Sequence, residues 1–281
     1  MPELPEVETM RRDLEALAGQ AVVTRVQVLD EKVIQGSARA FARGLKGRRF
    51  VSFGRRGKVL MLGLDGGAVL LAHPRMTGHW LGLEPEHDLP AHPRVIFHLD
   101  SGHRLVFDDA RRFGRLELVR GGCVGEACLL RNIGEDGLRV DETALADWLS
   151  RKRVAIKVAL LDQRGVAGIG NIYASEILHR VGLDPRTPAC RVKPDELRAI
   201  ARETERVLGE SIEYRGTTLV NYRTANGDQG AFRRKLRVYG HEGEPCRRRG
   251  CEGTIQRIVQ GGRSTYFCSR CQRTGRHRRQ T

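Results

Sequence analysis

Pro2 and Glu3 open the chain with a pairing suited to amine chemistry. If Met1 is removed, Pro2 becomes a secondary amine beside a carboxylic acid. An N-terminal amine titrates at about 7.7–8.0 against about 10.4 for lysine, so more of it is neutral and nucleophilic near neutral pH. Attack of a secondary amine on an aldehyde-level carbon yields an iminium with no N–H left to lose. That cation draws electrons more strongly during elimination than a neutral imine does. The same two residues also suit the opening of a helix, where proline fits the first turn and acids complement the dipole.

A second constellation is Cys246-x4-Cys251-x16-Cys268-x2-Cys271. Two thiolate pairs about a hairpin's length apart suit one tetrahedral zinc ion, and four sulfurs leave no open position for substrate, so such a site is structural. Between the pairs, Ile255–Val259 and Ser264–Phe267 read as strands around Gly261-Gly262, which puts Arg263 at or beside a hairpin tip.

Three weaker signals lie upstream. Leu160–Tyr173 contains a helix ending near Gln163, a glycine-rich turn, and a second helix opened by Asn171 and bearing Tyr173, Ile177 and Leu178. Backbone amides in such a turn bind phosphate, although glycines for close packing explain it equally well. Gly54-Arg55-Arg56-Gly57-Lys58 precedes an apolar strand and sets a lysine where it can reach a phosphate or donate a proton; a solvated basic turn is the plainer account. Asp108-Asp109-Ala110-Arg111-Arg112-Phe113-Gly114 ends a strand with an aromatic in a basic loop, the type of residue that wedges into a base stack as well as into a core.

Other elements must position these groups. The 281 residues suffice for two domains, or for one large domain with appendages. The formal charge of +15, from 49 basic and 34 acidic residues, points to a polyanionic partner. Arginines outnumber lysines 42 to 7, and the guanidinium fork matches phosphate oxygens. The charged, proline-containing start is unlike a secretory leader, and no apolar run is long enough to span a membrane. Cys123, Cys128 and Cys190 are scattered while the other four cluster, which suits a reducing compartment; the cytoplasm is the expected location.

Val7, Met10, Leu14 and Leu17 keep a helical period that Gly19 stops. From about Ala21 to Arg120 short β-type runs follow: Ala21–Leu29, Phe50–Phe53, Val59–Leu64, Ala68–Ala72, Val95–Leu99 and Arg104–Phe107. Asp65-Gly66-Gly67 and Asp100-Ser101-Gly102 separate neighbouring runs as hairpin turns, and the whole suggests a β-sandwich or barrel. Arg120–Gly137 reads as a linker and Asp141–Gly216 as helical, with Asp141 and Asp195 as N-caps. Gln272–Thr281 reads as a disordered basic tail.

Taken together, these residues resemble the formamidopyrimidine-DNA glycosylase family of bacterial base-excision repair. The resemblance runs from Pro2 to about Gln272 on PELPEVET, GRRGK, HPRMTG, DDARRFG, LLDQRGVAGIGNIYASEIL, TTLVNYRTANGDQGAFRRKLRVYGHEGEPC and the cysteine cluster. It implies a multidomain α+β protein: an N-terminal helix plus β-sandwich domain (2–130), a helix-two-turns-helix domain (131–235), a C-terminal β-hairpin zinc finger (236–272) and a basic tail (273–281), with DNA bound in the cleft. It implies a monomeric bifunctional glycosylase and AP lyase that removes 8-oxoguanine and formamidopyrimidines from double-stranded DNA and acts at abasic sites. Pro2 would attack C1′, Glu3 would assist sugar ring opening, Lys58 would donate a proton in β-elimination, and Arg263 would do so in δ-elimination while holding phosphate. His92, Arg111, Lys152 and Asn171 would contact DNA, and Met76, Arg111 and Phe113 would fill the gap left by the extruded base. Cys246, Cys251, Cys268 and Cys271 would hold one structural Zn2+.

The chain departs from the family pattern twice. The first cysteine pair is usually C-x2-C, whereas four residues separate Cys246 from Cys251, which makes His241 an alternative ligand. The motif usually written HLGM is here His73-Pro74-Arg75-Met76. Two rival functions stand beside this one: an oxidised-pyrimidine glycosylase of the endonuclease VIII type, and a non-catalytic damaged-DNA-binding protein. Pro2, Glu3 and Lys58 together argue against the second, because phosphate binding needs no N-terminal secondary amine.

Overall fold

A computed structural model of the chain describes residues 1–217 and 230–273. Part of the TTLVNYRTANGDQG signature (218–229) and most of the expected tail (274–281) lie outside these residues. The chain divides into two compact units, Met1–Arg131 with Ile212–Arg233, and Asn132–Ser211 with Arg234–Thr281.

The first unit begins with α1 (Leu4–Ala18), which buries Val7, Met10 and Leu14 as the period requires, while Leu17 is 38% exposed and lies over Gly82. Then come β1 (Val23–Val28), α2 (Ala38–Leu45), β2 (Phe50–Arg56), β3 (Val59–Leu64), β4 (Val69–His73), β5 (His79–Leu83), β6 (Pro93–Leu99), β7 (Arg104–Asp108) and β8 (Arg115–Val119). They form two four-stranded antiparallel sheets, in the orders β1-β6-β7-β5 and β2-β3-β4-β8. Leu60, Leu62 and Leu70 of one sheet share a single core with Trp80, Phe97 and Phe107 of the other, and α1 adds Val7 and Met10 to it. Trp80 lies 5.4 Å from Phe97 and 5.3 Å from Phe107, ring to ring, so the core is close-packed. The expected sandwich is present, together with elements the β-type runs did not announce: α2, β5 and β8.

Ile212–Arg233 groups with the sandwich rather than with the helical segment. Two contacts to α1 account for this: Arg215 Nη2 meets Asp13 Oδ1 at 2.8 Å, and Thr217 N donates to Glu6 Oε1 at 2.7 Å.

The second unit comprises β9 (Glu135–Asp136), α3 (Glu142–Ser150), α4 (Ile156–Leu160), β10 (Val166–Ala167), α5 (Asn171–Val181), α6 (Pro194–Glu213), β11 (Ile255–Gln260) and β12 (Arg263–Cys268). The last turn of α6 crosses into the first unit. Asp141 caps α3 by accepting Ala144 N at 2.8 Å. Asp195 is not the cap of α6, which begins at Pro194; Glu196 instead accepts the Lys193 N–H at 2.9 Å. Antiparallel β11 and β12 pair Gln260 with Arg263 across Gly261 and Gly262, whose φ angles of +54° and +71° suit a two-residue turn that glycine alone adopts readily. Gln272 is buried rather than part of a loose tail: it accepts Cys268 N and donates to Leu183 O, and Arg273 N donates to Gly182 O.

Candidate active site and metal centre

Glu3 occupies the N-cap of α1 with extended backbone, φ −105° and ψ −170°. Its carboxylate accepts a helix N–H, and Glu6 reciprocates by accepting Glu3 N at 2.8 Å, a capping box that satisfies two end groups at once. Glu6 uses its other oxygen for Thr217 N. One buried carboxylate therefore locks the backbone beside Pro2, which is itself buried while Met1 is exposed.

Lys58 is 5% exposed in the turn between β2 and β3. Arg55 ties that turn to α1, its Nε donating to Glu8 Oε2 at 3.2 Å and its Nη1 to Gly57 O at 2.9 Å. His73 ends the adjacent-but-one strand, β4, and its Nδ1 accepts Arg75 N at 3.0 Å. Burial, then the Arg75 and Lys58 charges, push this imidazole down to about 3, so it is neutral, as an accepting Nδ1 requires. Lys58 thus has a neutral histidine for a neighbour. Arg75, where the usual motif has glycine, takes φ +54°, a left-handed conformation that costs a non-glycine residue roughly 1 kcal/mol.

Met76, Arg111, Phe113 and His92 are organised by two aspartates, Asp108 and Asp109, to which sequence reading assigned no role of their own. Asp109 is fully buried; its Oδ1 accepts from Thr77 Oγ1 and from Arg111 N (3.2 Å), and its Oδ2 accepts Gly114 N at 2.7 Å. Its backbone N donates to His92 O at 3.1 Å and its carbonyl accepts Arg94 Nε at 2.8 Å. Asp108 accepts His92 N at 2.8 Å. A side chain at Gly114 would stand 2.5 Å from Phe107 and 3.0 Å from Asp109, so the loop closes this tightly only with glycine there. Arg112, at φ +62°, turns away to pair with Asp30 at 2.5 Å. Phe113 is left 47% exposed and Met76 37%, with the Arg111 guanidinium 4.7 Å from the Phe113 ring centroid. Exposed apolar side chains on a pinned loop are suited to intercalation rather than to a core.

In the second unit Lys152 stacks 3.7 Å over the Trp148 ring and lies 3.9 Å from Asp162, whose carboxyl is held below its ordinary range chiefly by the Arg164 hydrogen bond. Asn171 opens α5 and turns its side chain toward the hairpin: Nδ2 donates to Ser264 O at 3.0 Å and to Tyr239 OH at 3.2 Å. The fully buried Lys157 donates to Asn171 Oδ1 (2.5 Å), Ser264 O (3.1 Å) and Thr265 Oγ1 (2.8 Å). Arg263 is exposed at the tip so supported. Sequence reading passed over Lys157; its one signal was a charge set among the apolar residues of a short helix.

The four cysteine sulfurs lie within 4.8 Å of one another, with Cys246–Cys271 and Cys251–Cys268 at 3.7 Å. Sulfurs about 2.3 Å from a tetrahedral zinc are about 3.8 Å apart, whereas a disulfide needs about 2.05 Å. The residues fit zinc. The longer first knuckle does not exclude Cys246, and His241 is engaged elsewhere, with Glu244 Oε2 at 2.9 Å. Glu176, 1% exposed on α5, accepts the backbone N–H groups of Arg237, Val238 and Tyr239 and so fixes the segment entering the knuckle.

Three family models match this chain: the formamidopyrimidine-DNA glycosylase N-terminal domain over residues 1–116, its H2TH domain over 133–222, and a zinc finger found in FPG and IleRS over 243–274. The formamidopyrimidine-DNA glycosylase of Ruegeria pomeroyi is 41% identical, covering 97% of this chain and 100% of that one. That of Chloroflexus aurantiacus is 43% identical, with 98% of each covered. Among solved structures, Lactococcus lactis Fpg in complex with abasic-site DNA superposes with a TM-score of 0.90 at 28% identity, covering 97% of this chain and all of that one. The MutM (Fpg) protein of Thermus thermophilus superposes at 0.87 with 38% identity, covering 98% and 100%.

Proposed function

The chain belongs to the formamidopyrimidine-DNA glycosylase family, and from that premise we propose how its residues carry out the reaction. It is a base-excision repair enzyme, a DNA-formamidopyrimidine glycosylase with AP lyase activity, and carries one structural zinc ion. Its substrates are 8-oxoguanine, formamidopyrimidines and abasic sites in double-stranded DNA.

The Pro2 nitrogen attacks C1′ of the damaged nucleotide, and the C1′–base bond breaks. Glu3 supplies a proton to the ring oxygen as the sugar opens, which leaves an iminium between Pro2 and C1′. Loss of a C2′ proton expels the 3′ phosphate, with Lys58 donating a proton; a second elimination expels the 5′ phosphate, assisted by Arg263. The observation that carries this reading is the lock on the N-terminus: Glu6 holds the Glu3 backbone, and the Glu8–Arg55–Gly57 chain ties α1 to the Lys58 turn.

Met76, Arg111 and Phe113 enter the duplex where the nucleotide is extruded, an event that costs a few kcal/mol of unstacking. His92, Lys152 and Asn171 are phosphate contacts, the last shared with its role in bracing the hairpin. The enzyme acts as a monomer in the bacterial cytoplasm, on the nucleoid; no helix among the described residues is long and apolar enough to cross a membrane. The zinc ion, when bound, supplies ligation energy that folds the hairpin. The deciding experiment is excision on duplexes carrying 8-oxoguanine, formamidopyrimidine or an oxidised pyrimidine. Preference for the two purine lesions supports the reading; preference for the pyrimidine overturns it in favour of an endonuclease VIII-type enzyme.

A further inference from the structure

The knuckle that departs from the family spacing is docked on α5 through one residue used twice. His179, in the last turn of α5, is fully buried, and its Nε2 lies 3.4 Å from Cys246 Sγ. Two residues beyond Cys246, Arg248 turns its Nη2 back to the carbonyls of His179 and Arg180, at 3.1 Å for the second. Those carbonyls belong to the helix's last turn, where a cation is favoured; the His179 carbonyl also accepts Gly182 N at 3.1 Å. The ring of His179 thus reaches the knuckle and the knuckle's arginine reaches the His179 backbone.

We propose that His179 is a positioning residue for the metal centre, its Nε2–H donating a hydrogen bond to the Cys246 thiolate and so holding the four-residue knuckle in ligating position. The proposal rests on the zinc reading above. An ionised thiolate bound to a cation is only an acceptor, so a ring nitrogen at this distance must carry the proton. A hydrogen bond to the sulfur spreads its charge and orients its lone pairs, the task that outer partners perform around bound metals. Arg248 supplies the reciprocal anchor, and Gly182, C-terminal to the same turn, accepts Arg273 N from beyond the last cysteine. The end of α5 therefore holds both sides of the cysteine cluster. The two extra residues of the knuckle give Arg248 its reach, which explains how the longer spacing keeps Cys246 in the cluster.

The test uses the full-length protein. Metal content of the unaltered enzyme comes first: absence of zinc would overturn the zinc reading and the proposal with it, whereas the variants that follow test the histidine alone. In the cobalt-substituted enzyme, His179→Phe should move the thiolate-to-cobalt absorption to longer wavelength, since a sulfur that loses its donor gives up electrons more easily. The zinc form of that variant should lose metal to a chelator at least about tenfold more readily. His179→Gln, which retains an N–H, should recover part of both effects, and His241→Ala should change neither. In the cadmium-113 form of the unaltered protein, the His179 ring proton should reside on Nε2 and show scalar coupling to the metal. A ring protonated on Nδ1, or a folded His179→Phe variant with unchanged cobalt spectrum and unchanged metal release, would overturn the proposal. The cadmium measurement decides if the phenylalanine variant does not fold.

Discussion

Asn171 donates its side-chain amide to the carbonyl of Ser264 at 3.0 Å, one residue beyond Arg263. Lys157 donates to the same carbonyl at 3.1 Å and to Asn171 itself, so a buried cation and the first residue of α5 jointly brace the strand that begins at the fingertip. The arginine assigned to the second elimination thus sits on a strand braced in part by a lysine too buried to meet DNA.

Lys157→Met should take the ammonium away from Asn171 Oδ1 and Thr265 Oγ1, while Ser264 O keeps the Asn171 amide. Leaving buried polar groups unpaired costs roughly 1–3 kcal/mol each, so a loss of at least about 2 kcal/mol in denaturant unfolding is expected. The product mixture on abasic DNA should shift from δ- toward β-elimination while zinc is retained. Unchanged stability and products would mean that the fingertip is braced elsewhere.

Borohydride should trap a covalent complex with abasic or 8-oxoguanine DNA through Pro2. The expected adduct maps to the N-terminal peptide after loss of Met1. A trapped peptide carrying the modification on a lysine, with Pro2 intact, is the contrary result.

Glu3→Gln should slow base excision by about 10²–10⁴-fold, the usual worth of a proton-transfer group. DNA affinity should change little, because the glutamine carbonyl can still accept the helix N–H that Glu3 caps. Normal excision in single-turnover assays would remove Glu3 from the mechanism.

Cys268→Ser should lose zinc and unfold the hairpin, since ligation energy is folding energy in so small a module. Arg263→Ala should keep zinc and lose the second elimination. Elemental analysis separates the two variants, and full δ-elimination by Arg263→Ala would cancel the role given to that arginine.

Asp30 anchors the loop that presents Arg111 and Phe113, and its carboxyl is held below the ordinary range first by the Arg112 hydrogen bond. A depressed folded pKa contributes stability above the unfolded value of about 3.9 and loses it as pH falls through the folded value. The melting temperature of wild type should therefore exceed that of Arg112→Ala at neutral pH, and the gap should close as pH drops below about 4. A gap independent of pH would assign the loop's stability to packing instead.

Local pattern was enough for much of this protein. The period of Val7, Met10 and Leu14 specified α1, because side chains at that spacing must share one helix face. The Gly66-Gly67, Gly102 and Gly261-Gly262 turns were legible because left-handed backbone selects glycine. Cysteine spacing pointed to the zinc site through the reach of two short knuckles. Other elements escaped for local reasons: β5, His79–Leu83, contains a glycine and is only partly buried, and α2, though amphipathic, is only eight residues long and buries just Phe41 and Leu45. Leu17 obeyed the helical period yet stays 38% exposed near the end of α1, where its side chain lies over Gly82 of β5. The pairs that organise the site join residues distant in sequence: Lys58 with His73, Asp109 with the Met76 and Phe113 loops, Lys157 with Ser264, and His179 with Cys246. Sequence alone determined which chemical groups the protein carries. Only tertiary structure decided which buried carboxylate, lysine or imidazole stands beside them, since hydrogen bonds and charges act through space and sequence separation places no limit on which residues meet.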